Sequence, residues 1–517
     1  LICAAMVNNV VKSLRYELRA GDEVRMIDIS HEIGLKIYES TVLFIFSKAV
    51  REVCPNQSID IKYSLGGGIY CEFEDGTAMR AHETAKIKEK MNQIVEADIV
   101  IKKHRMTTHE ADKTIAACSA NKTSTARFVN SKFINLYEIE GYFGYFYTKM
   151  LGKTGLAQHF DVFAESPGCV VMSIDPITLD QPAAYQPQPN LFREFQSYGS
   201  WCKHLDVVDV TSLNRIISEG SANDLITVCE ARHEQIIHSI AESVIADSNV
   251  KIILISGPSS AGKTTTSKRL RAHLISKGQF PLTVSTDDYF VDREKTPVDE
   301  SGNIDYESID ALDLERFNHD LISLMEGAET EVPVFDFVEG RRAPKGKMLK
   351  LEKGSPLIVE GIHGLNEKLT KDIARKNKCK IYINDLTDLN VDQYNRISTS
   401  DVRLIRRIVR DIQKRGNDAL ATISMWQSVR RGEQKNVFPY SNEADHVFNT
   451  SLVYELAVLK KYAEPALSSI DSSNQYYYEA RRLLGFLSFF LSIEDESAIY
   501  TNSLLREFIG GCVFDNL

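Results

Sequence analysis

The chain has 517 residues, 43% hydrophobic and 26% charged, an ordinary globular composition with enough length for two or three separate cores. Its formal net charge of −10 disfavours general attraction to nucleic acid or an anionic membrane, so any basic site must be local. The nine cysteines include no C-x-x-C pair and no zinc-spaced cluster, which suits a reducing cytosol, and the longest apolar run, Phe486 to Ile493, falls far short of the ~18 residues of a membrane span.

Residues 1 to 29 alternate short apolar and charged stretches, as in RYELRAGDEVRMIDIS, which predicts strands joined by a tight Gly21-Asp22 turn. Leu1 is not a methionine and strands are expected directly after it, so a missing upstream piece is expected rather than a signal peptide. A helical apolar stripe covers 38–52, SLGGGIYCEFEDG reads as a turn followed by a strand, and Ile87, Met91, Ile94 and Val95 stand at helix spacing. The Gly66–Gly68 run has no following Lys-Ser/Thr and reads as structural. Pro182, Pro187 and Pro189 interrupt the periodicity and predict a connection. An amphipathic helix is expected over 223–246, followed by KIILIS, a wholly apolar strand of the kind buried in a parallel sheet. LTVST, PLIVEG, KIYIN and HVFN then alternate with helical stretches, which predicts a doubly wound α/β domain. The apolar stretch LLGFLSFFL is expected to close that domain's core, with a subunit contact as the alternative.

Directly after KIILIS stands Gly257-Pro258-Ser259-Ser260-Ala261-Gly262-Lys263-Thr264, with Thr265 next, matching G-x-x-x-x-G-K-[ST]. Such a loop curls so that successive N–H groups face a phosphate, while Lys263 reaches the β/γ oxygens and the Thr264 hydroxyl can ligate Mg²⁺. The motif therefore predicts ATP and Mg²⁺, but kinases, switches and ATPases share it. Asp287 in STDDYF ends the second expected strand, at the carboxyl edge where open α/β sheets bind ligands. A carboxylate there can take the proton of an acceptor hydroxyl; Asp288 is its rival. Glu360 ends PLIVEG and can hold Mg²⁺ directly or through water. Seven arginines lie between Arg403 and Arg431, many in DVRLIRRIVRDIQKRG, and read either as a solvated helix face or as a lid closing on a transferring phosphoryl group.

GPSSAGKTT, STDDYF, NIDYESIDALDL, PVFDFVEGRR, IVEGIHGLN and RLIRRIVRDIQKRG together resemble the phosphoribulokinase/uridine kinase family, in the family's order across roughly 250–450. By that resemblance Asp287 matches the catalytic aspartate, Asp305 the acid that holds ribose hydroxyls, Arg407 and Arg410 basic residues near ribose and phosphates, and Arg415 a lid arginine. Uridine/cytidine kinases contact the pyrimidine through a tyrosine, a histidine, an arginine and a glutamine; Phe335, Gly340, Asn417 and Met425 stand at those positions here. Phe335 is thus expected to line an acceptor pocket more apolar than a uridine kinase's. RYELRAGDEVRMID and SLGGGIYCEF resemble the amino-terminal region of threonyl-tRNA synthetases, a β-grasp segment and an editing domain. The H-x-x-x-H pair of that domain is replaced by Ser40 and Phe44, and His82, His104 and His109 read as surface residues.

The expected organisation is a partial β-grasp segment (1–35), an editing-like α+β domain (36–165), a connecting region (166–245), a P-loop uridine kinase-like domain (246–470) and a helical extension (471–517). The fold class is α/β, a doubly wound parallel-sheet kinase domain preceded by an α+β synthetase-like region. The leading functional expectation is a cytoplasmic kinase moving the γ-phosphoryl group of ATP to a hydroxyl of a nucleoside or related ribose-like molecule. The alternative is a nucleotide-gated RNA-binding or regulatory P-loop ATPase, with RNA bound by the front region. Retention of Asp287 and Asp305 favours the kinase, because a pure switch needs no acceptor pocket.

Overall fold

The structure, a computed structural model, describes residues 1–118, 132–298, 302, 304–336 and 339–516; Asn303, Phe337 and Val338, within two of the stretches above, lie outside the described residues. The carboxy-terminal half is built on a five-stranded, wholly parallel sheet. Its strands lie in the order Leu282–Ser285, Leu357–Glu360, Ile252–Ser256, Lys378–Asn384 and His446–Asn449. The run KIILIS is apolar throughout because both faces are covered. Ile252 and Leu254 join Phe317, Leu321 and Leu324 of the helix Leu314–Met325 on one side. Ile253 and Ile255 join Ile237, Ile240, Leu270 and Leu274 of the helices Ala222–Ala246 and Lys263–Ser276 on the other. Alternate side chains of one strand thus feed two cores, which is why no polar alternation is visible in the sequence.

The front half is an antiparallel α+β region. A four-stranded sheet has the order Ile59–Leu65, Gly68–Phe73, Gly168–Met172, Asp161–Glu165, and the helices Glu32–Val53 and Ala81–Glu96 pack with it. Ile87, Met91, Ile94 and Val95 are all buried, as their spacing requires. Two smaller sheets flank it, one of Ile2–Val7, Val10–Lys12 and Val24–Asp28, the other of Lys102–Thr107, Phe133–Ile139 and Tyr142–Tyr145.

Two local expectations are corrected. Arg15–Ala20 forms no strand, so the hairpin turn is at Asn8-Asn9, both with positive φ; a tight turn does form at Gly21-Asp22, Asp22 N–H donating to Arg19 O at 3.1 Å, but inside the loop leading to Val24. The stretch 166–245 is also more than a connection, since Gly168–Met172 is an inner strand of the front sheet and the helices Pro189–His204, Val210–Ser218 and Ala222–Ala246 follow.

The two halves are joined by the stretch that leaves Asn384 at the end of its strand. Asn390 donates to Ile61 O at 3.0 Å, Ile61 N–H donates to Gln393 O at 2.9 Å, and Asn395 donates to Tyr145 O at 3.0 Å. That stretch leads straight into the helix Thr399–Lys414, so the front region anchors the approach to the arginine-rich helix. Leu483, Leu487 and Phe490 of the LLGFLSFFL stretch are buried with Leu404, Ile405 and Ile408 of that helix.

Candidate active site

The carboxyl ends of three neighbouring strands gather the sequence candidates. Ser256 leads into the P-loop, Ser285 into the short turn Thr286–Tyr289 that carries Asp287, and Glu360 closes the strand between them, in register with both Ile255 and Ser285. Ser285 Oγ accepts the Asp287 N–H at 3.3 Å, which fixes the turn. The P-loop bends through positive φ at Ser260 (+59°) and Gly262 (+88°) before the helix Lys263–Ser276 begins. Lys263 Nζ donates to Gly257 O and Pro258 O at 2.9 and 3.1 Å. The Thr264 hydroxyl donates to Glu360, 3.1 Å from one carboxylate oxygen and 3.3 Å from the other.

Asp287, Lys263 and Glu360 lie close enough to act on one another's charges. Asp287 reaches solvent, yet the surrounding protein restricts its hydration and raises its carboxyl, with Lys263 opposing. Burial pushes Glu360 up to about 7 against the pull of Lys263. The same desolvation lowers Lys263, while Glu360 and Asp287 support its charge.

The arginine-rich helix faces the loop from the other side, and its buried face is ionic. Arg403 donates to Ser259 O at 3.0 Å and forms a two-pronged pair with Glu433, whose Oε1 accepts the Ser259 N–H at 2.9 Å. Arg406 pairs with Glu455 and donates to Thr450 O at 2.9 Å. Both arginines are wholly buried, so the solvated-face reading fails for them. Arg407 Nη1 donates to Ser259 Oγ at 2.8 Å. Arg407, Arg410 and Arg415 all approach one buried acid, Asp411, at 3.5, 2.9 and 3.8 Å.

Asp305 Oδ1 accepts the Glu307 N–H at 3.1 Å, and Glu307 packs against Gly432, where a Cβ would come within 2.5 Å of it. Burial and Glu433 push the Glu307 carboxyl up to about 7, with Lys263 and Arg407 opposing. Phe335 is buried against Phe290, with ring centroids 5.6 Å apart, in the core that holds Tyr289 and Phe317; Met425 is exposed. Sequence reasoning missed Glu307, Glu433 and Asp411. Glu433 lies in VRRGEQKNVFPY and Asp411 among the arginines, but only the fold reveals their partners.

Among the described residues no three acidic, imidazole or thiol groups converge as a metal cage. Thr264 with Glu360 beside a phosphate cradle is instead the sparse oxygen set that Mg²⁺ takes, one carboxylate completed by phosphates and water, so the residues fit the cation. In the front region Phe44 is buried, Ser40 Oγ accepts from the Thr148 hydroxyl at 2.7 Å, and His104 is paired with Glu138 at 2.7 Å.

The sequence profile of the phosphoribulokinase/uridine kinase family matches residues 252–456. The uridine kinase of Ligilactobacillus salivarius is 30% identical over 177 residues, which cover 34% of this chain and 74% of that protein. The uridine kinase of Chlamydia pneumoniae is 26% identical over 230 residues, 44% of this chain and 95% of that protein. Among solved structures, a "possible uridine kinase" from Bacillus stearothermophilus aligns with 43% of this chain and all of its own, at 20% identity and a TM-score of 0.29. Through its carboxy-terminal P-loop domain, this chain belongs to the phosphoribulokinase/uridine kinase family.

Proposed function

We propose that the chain is an Mg²⁺-ATP-dependent phosphotransferase whose acceptor is a hydroxyl of a nucleoside or related ribose-like small molecule. The observation that carries this reading is the convergence of Asp287 and Glu360, from adjacent strand ends, on Lys263 at the start of the P-loop helix, with Arg407 across the same loop. The P-loop amides and Lys263 hold the triphosphate, and Thr264 with Glu360 would hold the cation, which when bound neutralises charge on the β- and γ-oxygens. Asp287 accepts the acceptor's hydroxyl proton as its oxygen bonds to the γ-phosphorus and the β–γ bridging bond breaks, releasing ADP. Asp305 orients ribose hydroxyls, while Arg407, Arg410 and Arg415 offset phosphoryl charge and exclude water.

A site built to hydrogen-bond a base rejects analogues that lack the matching groups, and removing those groups relaxes the choice. With Phe335, Gly340, Asn417 and Met425 at the base-reading positions, uridine and cytidine are not expected to lead a panel of acceptors. The test is a phosphotransfer screen with Mg²⁺-ATP and nucleosides, pentoses and sugar phosphates, read by mass spectrometry beside Asp287→Asn. A product that vanishes in the variant supports the kinase. Equal ATP loss in both proteins, with no phosphorylated acceptor, favours the regulatory ATPase.

A further inference from the structure

The chain supplies its own anion to the phosphate cradle. Glu507, on the short helix Arg506–Ile509, directs its carboxylate at the first turn of the P-loop helix. Its Oε2 accepts the Thr265 hydroxyl at 2.6 Å and the Thr265 N–H at 3.4 Å. Beside it Leu504 packs directly on Gly262, where a Cβ would come within 2.5 Å of its side chain. The segment is fastened at both ends. Upstream, Ser503 donates to buried Glu230 at 2.5 Å and Arg506 pairs with Glu496 at 3.0 Å, while Phe508, next after Glu507, is fully buried under the Arg406 guanidinium. Downstream, Lys268 donates to Phe514 O and Lys414 pairs with Asp515, both at 2.7 Å.

The N–H of Thr265 is one of the four at the helix start that have no partner within the helix, and the helix dipole favours negative charge there. Those two properties make a P-loop hold phosphate, and Thr265 belongs to the set expected to bind ATP. Glu507 meets both needs with a carboxylate. A phosphate oxygen and this carboxylate would be like charges competing for one donor, so they cannot hold it together.

We propose that the carboxy-terminal segment is an internal competitor of nucleotide: Glu507 occupies an anion position of the cradle, and nucleotide binds only as Glu507 leaves Thr265. This rests on the P-loop domain binding ATP. It adds a closed state whose population sets the apparent affinity, because binding to a partly populated competent state is weakened by that fraction.

The test is calorimetric titration of the full chain with ATP and with ADP, comparing wild type, Glu507→Gln and Lys414→Met. Glu507→Gln keeps the side chain's shape and removes its charge. Lys414→Met loosens the downstream fastening without touching Thr265. The expected result is ATP binding tighter by about tenfold in Glu507→Gln and by a smaller factor in Lys414→Met. Hydrogen exchange over 503–516 should also quicken in wild type when ATP is added. Equal or weaker ATP binding by a folded Glu507→Gln overturns the proposal, and if that variant does not fold, unchanged affinity in Lys414→Met does so. No nucleotide binding by any of the three overturns it together with the proposed function. Tightened binding without phosphotransfer to any acceptor supports the internal competitor and removes only the kinase reading.

Discussion

The Thr264 hydroxyl lies 3.1 Å from Glu360 Oε2, linking the start of the P-loop helix to the end of a neighbouring strand. A hydroxyl and a carboxylate so placed can share one cation, and each alone leaves its coordination incomplete. Thr264→Ala and Glu360→Gln are each expected to lower kcat/KM by roughly 10²–10³-fold, the usual cost of losing one group that stabilises charge in the transition state. Nucleotide affinity measured without Mg²⁺ should stay near wild type. Activity that ignores Mg²⁺ concentration in wild type would separate this pair from any cation.

Asp287→Asn keeps the turn set by Ser285 and removes the proton acceptor. A drop in kcat of about 10²–10⁴-fold is expected, with nucleotide dissociation constants little changed. Single-turnover kinetics with an identified acceptor make the measurement. A variant that loses binding and keeps kcat would mark Asp287 as a ligand contact instead.

The parallel sheet was legible because its strands are short apolar runs and the P-loop follows the first of them. The arginines were not. Arg403 and Arg406 find Glu433 and Glu455 at distances of 30 and 49 residues along the chain, and a helix read by itself shows only its own charges. Arg15–Ala20 failed for the opposite reason: its alternation suits a strand, but among the described residues no strand pairs with it. Nothing in NIDYESIDALDL distinguishes Glu307 from the acids around it; its place over Gly432 comes from a helix more than a hundred residues later in the chain.

Glu307, pushed up to about 7 by burial and Glu433, is expected to make the fold less stable as pH rises through neutrality. A carboxyl raised above its unfolded value contributes stability that is full below about 4.3 and lost as pH rises through about 7. Glu307→Gln, which cannot ionise, should therefore raise the melting temperature at pH 8 and barely change it at pH 5. Where ionised Glu307 assists the acceptor site, the rise of kcat/KM through neutral pH should flatten in the variant. Identical melting shifts at both pH values would mean that packing against Gly432, not ionisation, is what Glu307 supplies.

Arg482 and Asp401 tie the helix Tyr477–Leu487 to the first turn of the arginine-rich helix through two contacts of 2.7 Å, with Glu479 as a second acid on Arg482. Burial alone would raise Asp401, but Arg482 beside it, helped by Lys36, holds its carboxyl well below the usual range. A depressed carboxylate contributes stability that is present above about 3.9 and lost as pH falls towards its folded value. Arg482→Met leaves that charge buried and unpaired and is expected to cost about 3–5 kcal/mol at pH 7. Near pH 4 a proton can neutralise Asp401 in the variant, so the gap in melting temperature between the two proteins should narrow. Asp401→Asn combined with Arg482→Met should recover part of the loss at pH 7, because the double variant leaves no buried charge at position 401 and only the partly exposed Glu479 loses its partner. A gap independent of pH, and no recovery in the double variant, would mean that the guanidinium acts through its packing. The helix it supports carries Arg407 and Arg410 and ends at Arg415, so phosphotransfer should weaken in Arg482→Met and return in the double variant alongside stability.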